Sequence, residues 1–135
     1  MSLSTNNNYD LADITNIMEQ NCIINENDQL CIYLCGIPIL KNPDAISCCV
    51  QYITYHIQQL LMLNEKIDIN LYITEDIKIE MFKTIKIFFE LFKKELPNKL
   101  NKCNVYTKAK YKGLASMLLN FADRETKSRM EILNL

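Results

Sequence analysis

The chain has 135 residues, a formal net charge of -1 and 49% hydrophobic residues, the size and balance of a single globular domain. No apolar run approaches the roughly 18 residues of a membrane span, and the opening MSLSTNNNYD has neither the basic nor the apolar region of a secretory leader. The expected compartment is the cytoplasm, where the six cysteines stay reduced and pack as small hydrophobes.

Residues 1–8 are polar and expected to be disordered, leaving one domain over 9–135. From Asp10, the residues Leu11, Ile14, Ile17 and Met18 recur at helical spacing, with Asp10 as N-cap. QLCIYLCGI is a short apolar run closed by Gly36 and Pro38, the pattern of a strand buried on both faces. In the next segment Asn42 caps a helix, Pro43 takes its first position and Asp44 its first turn. Ile46, Val50, Ile53, Ile57 and Leu60 form the apolar face of that helix. KIDINLYIT reads as a second strand. A third helix carries Met81, Phe82, Ile85, Phe88, Phe89, Phe92 and Leu96 inward until Pro97 stops it. KCNVYT is a third strand, KYKGLASMLLNFAD a fourth helix and SRMEILNL a last strand. A helix, three strand–helix pairs and a closing strand predict an α/β fold. Its mostly parallel, four- to five-stranded sheet is joined by crossover helices.

Charge is unevenly placed. The first 40 residues hold five acids and no Lys or Arg, whereas residues 93–112 hold seven Lys and one Glu. Such asymmetry points to an anionic partner. The familiar catalytic patterns are missing. Gly36 and Gly113 are the two glycines, too few for a GxGxxG turn or a P-loop. Cys31 and Cys35 have no second ligand pair, so structural zinc is not expected. His56 sits within a helix beside Tyr52 and Tyr55, the setting of a structural histidine. Glu75 and Asp76 follow a strand, where α/β proteins place function, but they equally suit a turn and helix cap. No recognition-helix pattern predicts nucleic-acid readout. Neither an enzyme nor a cofactor is expected.

The predicted helix over 111–122 is apolar around most of its circumference. Lys112, Ser116 and Asn120 form one polar stripe, while Leu114, Ala115, Met117, Leu118, Leu119 and Phe121 fill the rest. A helix of this kind must be covered on both sides, either by core or with one face over a ligand cavity or against a membrane.

In order and in one stretch, these pieces resemble a CRAL–TRIO lipid-binding domain, the domain of phosphatidylinositol-transfer proteins. The resemblance rests on FKKELPNKLNKCNVYT, then YKGLASMLLNFA, then DRETKSRMEIL, and extends over residues 29–135. It implies a compact form without the family's N-terminal helical extension, similar to the homology domain of some Rho GTPase-activating proteins. It further implies phospholipid binding, and with it transfer, at cytosolic membrane surfaces, the ligand being a phosphoinositide or another anionic phospholipid. Helix 111–122 would be the gate over an apolar pocket, with Leu114, Met117, Leu118 and Phe121 on the acyl chains. Arg129 falls where a basic residue contacts the headgroup phosphate, and Asn98 where phosphatidylinositol binders carry an acid. Lys99, Lys102, Lys108, Lys110 and Lys112 would meet an anionic membrane, as a peripheral association. The alternative is a protein-interaction module, with a small GTPase or a second copy as partner.

Overall fold

Asp10 opens the part of the chain that the computed structural model describes, residues 10–135; the expectation for residues 1–8 lies outside it. Asp10 accepts a hydrogen bond from the Asp13 amide at 2.8 Å and so caps α1 (Leu11–Asn21). α1 runs directly into the short strand β1 (Cys22–Ile24). A loop with Asp28 at φ 57° turns the chain back into β2 (Leu30–Tyr33). A 3-10 turn (Leu34–Gly36) and an extended stretch lead to α2 (Pro43–Leu63), which Asn42 caps by accepting from the Asp44 amide. Next come β3 (Ile67–Ile73) and α3 (Met81–Glu95), whose last turn carries Lys93 and Lys94, favourable beside the carbonyl end of a helix. Asn98, in the left-handed region at φ 60°, turns the chain into β4 (Leu100–Thr107). An Asn tolerates that conformation better than most side chains, which is a backbone reason for its place after Pro97. A 3-10 turn (Ala109–Tyr111), α4 (Lys112–Leu118), a second 3-10 turn (Leu119–Phe121), α5 (Arg124–Ser128) and β5 (Met130–Asn134) complete the chain.

The five strands lie side by side in chain order. β1 is antiparallel to β2, and β2 through β5 are parallel. The fold is therefore α/β with a mostly parallel sheet, as the alternation of patterns predicted. Two short elements are additional: β1 and α5. The fourth helix is also shorter than 111–122, because 3-10 turns flank α4 on both sides.

The two faces of the sheet differ in chemistry. Leu30, Ile32, Ile69, Leu71, Ile73, Cys103 and Val105 are buried and join Ile53 and Ile57 of α2 and Phe88 and Phe92 of α3 in one core. The opposite face carries rows set by the register. Cys31, Asn70 and Asn104 are neighbours in one row, and Tyr33, Tyr72 and Tyr106 in the next. The tyrosine rings stack at 4.5 and 5.0 Å between centroids. That is about the spacing of adjacent strands, so the rings stand on edge rather than lie flat on the sheet. Beside them Asn104 donates to Asn70, Asn70 to Gln29, and Gln29 to Asp68. This amide chain satisfies polar groups that are almost fully buried, Asn70 being 2% exposed. An unpaired group there would cost about 1–3 kcal/mol.

Candidate functional site

Because β2 through β5 run the same way, the loops after β2, β3 and β4 meet at one edge of the sheet and the loops before them at the other. This sorts the basic residues. Lys108, Lys110 and Lys112 follow β4 and are exposed. The Lys110 ammonium lies 5.1 Å from the centre of the Tyr111 ring, a cation–π distance. Lys99 precedes β4 and Lys102 sits near its start, both exposed. Arg129, also exposed, immediately precedes β5, and its carbonyl accepts from the Cys103 amide at 2.9 Å. The eight residues of β4 separate the two groups by about 26 Å at about 3.3 Å per residue. The lysines are two patches rather than one, and Arg129 belongs with Lys99 and Lys102. Lys102 and Arg129 line a shallow recess with Asn101, Asn104 and Glu131.

α4 presents its residues unequally. Ala115 and Leu118 are buried at 0% and 1% exposure, while Met117 is 53% exposed. Leu114 and Phe121 are half-buried against the core, and Phe121 meets Phe82 of α3 at 5.5 Å. The polar stripe of Lys112, Ser116 and Asn120 is exposed. Leu118 is thus a core residue, and Met117 is the apolar side chain that α4 offers to its surroundings. Gly113 has open space where a side chain would project.

Two further recesses lie around residues 37–41. One of about 280 Å³ is lined by Leu34, Cys35, Ile37, Glu75, Asp76 and Met81 among others. Another of about 400 Å³ is walled by Ile39, Leu40, Ile46, Thr84 and Ile87, with Lys41, Glu80 and Lys83 at its rim. Sequence patterning missed this region because its walls come from a loop and two helices far apart in the chain. The local signals were Glu75 and Asp76 after a strand and IPILK, an apolar run around a proline and outside any periodic element.

The remaining reactive groups have structural explanations. The His56 Nδ1–H donates to the Tyr52 carbonyl one helical turn back, at 3.0 Å, and its ring stacks on Tyr52 at 4.5 Å. Burial pushes the thiols of Cys22, Cys49 and Cys103 up to about 12, which leaves them inert. Cys35, half-buried, donates to the Glu75 carbonyl at 3.5 Å. Among the described residues no three metal-ligating side chains converge, and no helix is long and apolar enough to cross a membrane. No protein-family model, curated protein or solved structure matches the chain.

Proposed function

We propose that the chain is a non-enzymatic module that binds anionic phospholipid at cytosolic membrane surfaces, and transfers it, through the corner formed by Lys108, Lys110, Lys112 and α4. The observation that carries this reading is the exposure of Met117 on the helix that these three exposed lysines lead into. An exposed apolar side chain among cations is the pattern of an interfacial contact. Each lysine contributes about 1 kcal/mol near an anionic bilayer. In this reading the lysines meet headgroup phosphates. Acyl chains enter when α4 swings about Gly113 and turns Leu114, Leu118 and Phe121 from the core toward the lipid. Arg129, at the other edge of the sheet, takes a phosphate only from a membrane that approaches from that side.

Flotation with phosphatidylserine and phosphatidylcholine vesicles tests the surface contact. The parent protein is expected to float with phosphatidylserine alone, and less so as salt rises. Changing Lys108, Lys110 and Lys112 together to Glu should weaken flotation at least tenfold. A labelled phospholipid moving between vesicles tests transfer. Equal flotation of the triple variant, or no lipid bound by either protein, would sink the proposal.

A further inference from the structure

Residues 37–41 join the 3-10 turn after β2 to α2 and have an unusual status. The stretch is extended at both ends, with Ile37 at φ -95°, ψ 123° and Asn42 at φ -77°, ψ 124°. Among the described residues, Ile39, Leu40 and Lys41 make no backbone–backbone hydrogen bond. Pro38 has no N–H to give. Ile37 and Leu40 anchor the stretch in the core at 4% and 6% exposure, so residues 39–41 are held in place without backbone pairing among the described residues. Ile39 lines both of the recesses of about 280 and 400 Å³, which therefore lie next to each other along the stretch, and residues at the start of α3 line each of them. The charges at its two ends are opposite. Glu75 and Asp76 outweigh Lys78 at one end, and Lys41 and Lys83 outweigh Glu80 at the other.

We propose that the two recesses act as one groove that docks an extended peptide segment of a partner protein, independently of the lipid contact at α4. The peptide backbone pairs with the free N–H and C=O groups of Ile39 and Lys41, as in strand addition to an open backbone edge. Side chains two residues apart share one side of an extended chain. Two apolar side chains of the peptide so placed enter the two recesses. A basic residue at one end of the peptide faces Glu75 and Asp76, and an acidic residue at the other faces Lys41 and Lys83. A lipid suits the groove less well, because an acyl chain leaves the backbone groups unpaired and carries charge at one end only.

The probe is an immobilised array of heptapeptides with Leu, Ile or Phe at positions 3 and 5. One set has Lys at one end and Glu at the other, in both orders; a second set has the same charge at both ends. The first set should bind, and amide resonances of Ile39, Leu40 and Lys41 and of the first turns of α3 should shift on titration. Binding should fall at least tenfold in Ile87→Trp, which fills the groove, and in Lys83→Glu, an exposed change that leaves the core intact. N-methylation of alternate peptide amides should abolish it. The proposal is overturned if no opposite-ended peptide binds. It is equally overturned if binding survives both variants, if N-methylated peptides bind as well, or if palmitate shifts these resonances and peptides do not.

Discussion

Asn21 shows how one side chain can fix a neighbouring backbone. Its Nδ2 donates to the Ile17 carbonyl at 2.9 Å and to the Gly36 carbonyl at 3.3 Å, tying the end of α1 to the turn after β2. A Cβ at Gly36 would collide with that side chain. Gly36→Ala should therefore cost about 1–2 kcal/mol through displacement of Asn21 and loss of its bonds. Adding Asn21→Ala should recover part of the loss, a coupling that thermal melts of the two single variants and the double variant would expose. The buried thiols give a prediction in pH. Cys22, Cys49 and Cys103 keep their protons up to about 12 when folded, against an ordinary value of 9.0. Below 9.0 folded and unfolded chains are both protonated and stability is flat. Above it the unfolded chain loses protons that the folded chain keeps. Stability then falls toward pH 12, by up to about 1.4 kcal/mol per thiol per pH unit. Melts across that range should show this, with a shallower slope in Cys103→Ala, while Cys35 and Cys48, both half-buried, react first with a thiol reagent. The caps at Asp10 and Asn42 were legible in the sequence because a cap is local chemistry. Asn70 and Asn104 were not, because only strand register reveals that the two amides are neighbours.

The long helices and the strands β2 through β5 were legible as apolar patterns, and two short insertions between them, β1 and α5, were not. β1 has three residues and follows α1 with no turn signal between them, so nothing in the alternation marks it. α5 has five residues, less than two turns, and its polar composition resembles any acidic loop. α4 was read too long because its apolar pattern continues through 3-10 turns that leave the spacing almost unchanged. α4 is bounded by 3-10 turns at both ends, and Gly113 near its start faces open space. Gly113 has no contact that a methyl group would disturb, so Gly113→Ala should stabilise the fold by about 0.5–1 kcal/mol. If α4 turns about this glycine to admit lipid, the same variant should slow vesicle-to-vesicle transfer while leaving flotation unchanged. Unaltered transfer in a protein stabilised by the expected amount would remove Gly113 as the hinge.

Parallel sheets are normally covered on both faces, and among the described residues helices cover β2 through β5 on one. Strand order explains the geometry: when consecutive parallel strands are neighbours and every crossover has the same hand, all helices fall on the same side. The alternation of sequence patterns announced strands and crossovers, but not that the second face would be open. It also could not show that β4 splits the lysines into two patches. The open face is made tolerable by its chemistry. The amide row is internally satisfied, the tyrosines cover one another, and Asp68, Lys102 and Glu131 place charge around them. Lys102 and Glu131 are both exposed and flank the rows on β4 and β5. Replacing both with Leu leaves the net charge unchanged and the helical core untouched. It would, however, join Leu133 and the tyrosines into a continuous apolar surface of the kind that associates. Lys102→Leu/Glu131→Leu should therefore unfold at nearly the parent's temperature yet sediment as a larger species at equal concentration. An unchanged sedimentation coefficient would mean that the tyrosine and asparagine rows alone suffice to keep this face apart from its copies.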